Sequence, residues 1–107
     1  MSGTRKTFVF DIDGVIAQIT PGNHYPDSKP IQQNVDIVNA LYEKGHKIIL
    51  FTARGGTSGI DWTDLTQHQM NEWGVKHHEL RMGKPAADYY IDDKLITLED
   101  LQSKFFG

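Results

Sequence analysis

Thr7-Phe8-Val9-Phe10-Asp11-Ile12-Asp13-Gly14-Val15 is the stretch that decides how this chain is read. Residues 7–10 are β-favouring and uncharged, and the run stops abruptly on acids. This reads as a buried strand ending in a polar turn. Side chains alternate along a strand, so Asp11 and Asp13 at an extended strand end point roughly the same way. Two carboxylates so close repel unless a proton or cation lies between them. A hard divalent ion with oxygen ligands relieves that repulsion, and Mg²⁺ suits such donors best. Gly14 lets the backbone turn sharply at this point. By itself the tetrapeptide reads equally well as a strand cap followed by a turn, so the rest of the chain has to decide.

Working outward, residues 17–30 hold three of the four prolines and read as a loop. Ile31, Val35, Val38, Leu41 and Tyr42 then recur at helical spacing, with Gly45 as the stop. Residues 47–52 carry Ile48, Ile49, Leu50 and Phe51, the strongest buried-strand signal, ending on Thr52. The glycine-rich run Arg54-Gly55-Gly56-Thr57-Ser58-Gly59 follows. A second helix is expected over residues 62–73, with Asp61 or Thr63 at its start and Gly74 after it. Residues 75–80 read as a short strand, and 88–91 as a fourth strand that again ends on acids, Asp92 and Asp93. Thr97 and Asp100 form a capping-box pattern before a last helix faced by Leu98, Leu101 and Phe105.

Strand and helix in alternation imply an α/β fold with a mostly parallel sheet and right-handed crossovers. In such sheets sites form beyond the carboxyl ends of the strands. Asp11 and Asp13, Thr52 and Arg54, and Asp92 and Asp93 each fall just after a strand. Three or four carboxylates on one edge are costly without a metal. Singly, Asp92-Asp93 reads as a solvated turn, Thr52 as a strand-terminal hydroxyl, and Lys84 in Met82-Gly83-Lys84-Pro85 as a solvated loop lysine. Together they describe a phosphate site: hydroxyl and backbone N–H groups for the oxygens, and an ammonium to neutralise charge.

The 107 residues suit one domain spanning 1–107. Apolar content of 38% and charged content of 23% argue against disorder. The net charge is −3 and no basic run occurs, which disfavours nucleic acid as a partner. Cysteine is absent, so disulfides, thiolate catalysis and a cysteine-based zinc site are excluded. No apolar signal region or membrane-length span is apparent, so a soluble cytoplasmic protein without a membrane partner is expected.

In order along the chain, Asp11-Ile12-Asp13-Gly14, Thr52 after an apolar strand, Gly83-Lys84-Pro85 and Asp92-Asp93 resemble the haloacid dehalogenase (HAD) superfamily of phosphotransferases. The resemblance implies a three-layer, mostly parallel, Rossmann-like core. It is closest to small capless members, some acting on sugar or polyol phosphates of surface-polysaccharide pathways and others serving as 3′-phosphatase domains of polynucleotide kinases. It implies that Asp11 attacks phosphorus and becomes an aspartyl phosphate. Asp13 protonates the leaving oxygen and then activates water. Thr52 and Lys84 hold the transferring phosphoryl. Mg²⁺ sits on Asp11, the backbone carbonyl of Asp13, and Asp93, with Asp92 standing where the family often has glycine and acting behind Asp93.

Only seven residues separate Lys84 from Asp92, where larger members insert a helix, so the core is reduced. The segment after Gly14 is too short for a cap domain, so loops, a second subunit or a bulky substrate must select. Arg54, Gly55 and His24 are the candidate substrate contacts, with Tyr25 beside them; a surface arginine is the equal alternative at Arg54. Adjacent His77 and His78 point to opposite strand faces and make no metal pair. Trp62, Met70 and Trp73 form the core stripe of a helix, and exposure of that stripe would favour a homo-oligomer. The expectation is a Mg²⁺-dependent phosphomonoesterase on a small phosphorylated metabolite. A polynucleotide 3′-phosphatase-like enzyme and a catalytically silent phospholigand-binding domain are the alternatives.

Overall fold

The computed structural model describes residues 5–54, 60–83, 100, 101 and 103, and for Asn23 the backbone alone. The elements are β1 (Thr7–Asp11), α1 (Gln32–Glu43), β2 (Lys47–Phe51), α2 (Thr63–Glu72) and β3 (Glu79–Arg81), with 3₁₀ turns at Pro21–Asn23 and Tyr25–Asp27. The expected fourth strand, and with it Gly55, Lys84, Asp92 and Asp93, lies outside the described residues. Of the expected last helix, Asp100, Leu101 and Ser103 are described and helical.

The sheet is parallel, in the order β1-β2-β3. Register aligns Val9 with Ile49 and Phe10 with Leu50, then Ile49 with Glu79 and Leu50 with Leu80. Paired residues share a face, which divides the sheet cleanly. Phe10, Ile48 and Leu50 pack with Val35, Val38 and Leu41 of α1 and Met70 of α2 in one buried cluster. Both helices therefore cover the same face. A chain that steps β1 to β2 to β3 in one direction by right-handed crossovers must place both connections on one side. Among the described residues the architecture is a two-layer α/β fold compatible with a Rossmann-like core.

The opposite face carries Val9, which is 56% exposed, beside the buried Ile49. The reading of residues 7–10 as a buried strand is corrected here: Phe10 is buried, Phe8 half-buried, and Thr7 and Val9 exposed. β1 is the edge of the described sheet, and only its Phe8 and Phe10 side meets the helix layer. The third strand is also shorter than the expected 75–80. Val75 N–H returns to the Met70 carbonyl and Lys76 N–H to the Asn39 side chain, so pairing with β2 begins only where His78 N–H reaches the Ile48 carbonyl. His78 Nδ1 accepts from Ile48 N–H at 3.0 Å, which makes it a structural acceptor.

Both helices stop as the glycines suggested. Gly45 N–H donates to the Tyr42 carbonyl and His46 N–H to that of Leu41; Gly74 and Val75 repeat the pattern on Asn71 and Met70. These are Schellman closures, which satisfy carbonyls left over at a helix end. The stripe on α2 is largely internal: Met70 is buried, Trp73 packs on the core, and Trp62 meets Tyr25 edge-on at 5.1 Å. Among the described residues no helix is long and apolar enough to cross a membrane.

Candidate active site

β1 delivers Asp11 as its last residue, level with Phe51 at the end of β2. Ile12 N–H then donates to the Phe51 carbonyl, carrying the ladder one step further. There the chain turns. The N–H groups of Val15, Ile16 and Ala17 all converge on the Ile12 carbonyl, and Gly14 N–H donates to Ala17 at 2.7 Å. Gly14 adopts φ +94°, and an added Cβ would lie 3.3 Å from Ile19 Cδ1. The positive φ strains any side chain here, and the close Ile19 methyl would have to give way. The tight turn leaves Asp13 at the carboxyl edge, directed toward the end of β2.

Thr52 follows β2 and is 2% exposed. Its hydroxyl donates to Asp13 Oδ2 at 3.2 Å and accepts from Arg54 N–H at 3.1 Å. Register alone brings these two motifs together: parallel pairing of β1 with β2 sets both strand ends on one edge. The single hydroxyl hydrogen of Thr52 is spent on Asp13, so its use on a phosphoryl oxygen requires exchange of that bond.

Arg54 is the chief surprise. It is not a surface arginine; it is 1% exposed, and its guanidinium is engaged within the protein. Nε donates to Asp13 Oδ2 at 3.0 Å and Nη2 to Asp13 Oδ1 at 2.8 Å, a two-pronged grip. Nη1 donates to Thr66 Oγ1 at 3.1 Å and to Gln69 Oε1 at 2.6 Å. The Tyr25 ring lies 4.5 Å from the guanidinium carbon. Four of the five N–H bonds of this cation are thus used inside the protein. A buried cation is tolerated only when it is paired and hydrogen-bonded in this way. Arg54, expected as a substrate contact, here holds Asp13.

The Asp13 side chain remains one-quarter exposed, so one edge of the carboxylate faces outward. Burial is the main cause that raises the Tyr25 phenol above its ordinary range; the Asp13 charge adds to it and Arg54 opposes it. His24, also expected at the site, is exposed and pairs with Asp27 at 2.7 Å; its neighbour Tyr25 makes the contact instead. A cleft of about 240 Å³ adjoins Arg54, bounded by Trp62, Asp61, Met82 and Gly83.

Thr66 and Gln69 were not anticipated from the sequence. A signal existed: Trp62, Thr66, Gln69 and Trp73 share one helical face, and polar residues on an otherwise core-facing stripe need buried partners.

The donors fit a hard cation as far as they are described. Asp11 offers a carboxylate, and among the described residues no backbone N–H donates to the Asp13 carbonyl. Among the described residues no group of three or more acidic or histidine side chains forms a metal cluster. The expected further ligands, Asp92 and Asp93, lie outside them.

No protein-family model matches the chain, and no curated protein matches it. Solved structures do. A crystal structure of an MCSG target from Vibrio cholerae aligns with a TM-score of 0.76 at 22% identity, covering 92% of this chain and 94% of that one. A chain from the structure of the Pnkp1/Rnl/Hen1 complex aligns with a TM-score of 0.62 at 15% identity, over 99% of this chain and 36% of that one. This protein thus spans about a third of the latter. At these identities the likeness establishes a shared fold.

Proposed function

We propose that this protein is a HAD-type, Mg²⁺-dependent phosphomonoesterase that works through an aspartyl phosphate at Asp11. The observation that carries this reading is the hydrogen bond between Thr52 and Asp13, which joins two separate sequence motifs at one parallel sheet edge, two residues from Asp11. In the proposed reaction a carboxylate oxygen of Asp11 forms a bond to phosphorus as the bond to the leaving oxygen breaks. Asp13 gives that oxygen a proton. It then takes a proton from water, which attacks the aspartyl phosphate, releases inorganic phosphate and restores Asp11. The two motif-bearing strand ends fix these groups before substrate arrives, and positioning supplies much of the catalysis in phosphoryl transfer.

Asp11, the Asp13 carbonyl and Asp93, with Asp92 behind it, would hold the ion. When bound, Mg²⁺ neutralises charge between the carboxylate and the phosphoryl oxygens. Lys84 would add a second positive charge. In this reading no cap covers the site, so the loops at the edge select the substrate.

A small phosphorylated metabolite, such as a sugar or polyol phosphate, is the leading substrate class, supported by the net charge of −3. The likeness to a chain of the Pnkp1/Rnl/Hen1 complex favours a second reading, an enzyme of the polynucleotide 3′-phosphatase kind. One assay separates them: phosphate release with Mg²⁺ from a panel of phosphorylated metabolites and from 3′-phosphorylated oligonucleotides, with Asp11→Asn as control. Activity that survives Asp11→Asn, or no activity on any phosphate ester, would sink the proposal.

A further inference from the structure

Gln69 is 4% exposed on α2, at a position where the helix otherwise faces the core. Its two polar ends have different partners. Oε1 accepts from Arg54 Nη1 at 2.6 Å, and Nε2 donates to the Tyr25 carbonyl at 2.7 Å. The arginine can only donate and the carbonyl can only accept, so the amide has a single satisfied orientation. We propose that Gln69 is a positioning residue for Asp13, acting through Arg54; the inference rests on the reading of Asp13 as the proton-transfer group.

The guanidinium is planar and its donors form a rigid fork. Nε and Nη2 face the two oxygens of Asp13, while Nη1 faces away, toward α2. Fixing Nη1 fixes the plane, and fixing the plane fixes the carboxylate. Thr66 supplies one acceptor at that end and Gln69 the other. Gln69 has the shorter bond and also ties the assembly to the loop that carries Tyr25, whose ring lies against the same guanidinium. Without Gln69 the inner end of Arg54 keeps, among the described residues, the Thr66 hydroxyl alone. Arg54 then gains freedom to tilt, and Asp13 with it. The Asp13 side chain is one-quarter exposed, so a tilt there would misplace the proposed proton donor in a reaction sensitive to ångström errors.

The test uses leaving groups. A proton donor matters little for p-nitrophenyl phosphate, whose leaving oxygen departs as a stable anion, and much for phenyl phosphate, whose leaving oxygen needs the proton. Gln69→Met preserves volume and removes both polar ends. The expected result is a fall of roughly tenfold in kcat/KM on phenyl phosphate with under about threefold on p-nitrophenyl phosphate. Thr66→Val, which removes the neighbouring acceptor without changing shape, gives the same signature and serves if Gln69→Met does not fold. An equal loss on both esters means a merely structural role and overturns the proposal. A second readout needs no turnover: the Arg54 Nε–H signal in ¹⁵N NMR is sharp in the parent and broadens or shifts in Gln69→Met. An unchanged signal overturns the positioning whatever the activity. Parent-level activity of Asp11→Asn on both esters would instead overturn the aspartyl-phosphate reading, and the NMR result then decides whether Gln69 positions Arg54.

Discussion

At the scale of single residues the site is a contest over one carboxylate. Asp13 accepts from Thr52 and twice from Arg54, and it also sits close enough to disfavour ionisation of Tyr25. That field is measurable. Tyr25 ionises above ordinary tyrosine in the parent, chiefly through burial, with Asp13 contributing. In Asp13→Asn the Asp13 contribution disappears and the Arg54 contribution remains, so Tyr25 titrates at lower pH, read by ultraviolet absorbance against a Tyr25→Phe reference. An unmoved titration would remove Asp13 from the surroundings of the phenol. The same raised value sets a stability dependence: the contribution of Tyr25 is complete below about pH 10 and declines as pH rises through the folded value. Gly14 is the other residue with a definite expectation. At φ +94° an alanine is strained, so Gly14→Ala lowers stability by about 1–2 kcal/mol, measured by urea unfolding.

At the scale of elements, α2 combines closed ends with an inner face that carries both the apolar Met70 and a buried polar pair. Asp61, one residue before the N-cap Trp62, accepts from Thr63 N–H at 2.9 Å and so satisfies one donor of the first turn. Hydrogen bonding from Thr63, side chain first and backbone second, holds the Asp61 carboxyl below its ordinary range. The sign follows from linkage: this bond contributes fully above the unfolded value, about 3.8, and is lost as pH falls through the lowered folded value. The melting temperature of Asp61→Ala is therefore below the parent at pH 7, and the gap closes toward pH 2. A gap that stays constant across that range would rule out the Asp61 carboxylate as its cause. The start of α2 was legible because Asp61 precedes the periodic run, and its end was legible in Gly74. Its buried polar pair, Thr66 and Gln69, was not, because local periodicity marks which face is covered and is silent on which cation waits beneath it.

At the scale of the whole molecule, the described helices pack on the Leu50 face of the sheet, and Leu50 and Val9 should weigh differently in stability. Leu50 is fully buried in the apolar cluster of the described residues, while Val9 on the other face is 56% exposed. Leu50→Ala costs about 2–5 kcal/mol by calorimetry or denaturant unfolding. Val9→Thr changes stability by under about 0.5 kcal/mol. Similar costs at both positions would contradict the difference in burial between them. The alternation of strand and helix made the parallel sheet readable before any coordinates. The exposure of Val9 was not, because a half-covered strand and a fully covered one can share the same β-branched, uncharged composition; what packs on each face is settled only by tertiary contacts.

The amino-acid sequence by itself determined the strand ends that carry Asp11, Asp13 and Thr52, the two glycine-terminated helices, and the α/β class. Each depends on local periodicity, backbone freedom or hydrogen-bond chemistry within a few residues. The tertiary structure alone decided that Arg54 turns inward and grips Asp13, forty-one positions away in the chain. It also decided that Thr66, Gln69 and Tyr25 complete the setting of that cation. A buried guanidinium must find acceptors wherever the fold supplies them. Those acceptors come from a turn and a helix, with the Tyr25 ring against them, and these parts meet only in the folded chain.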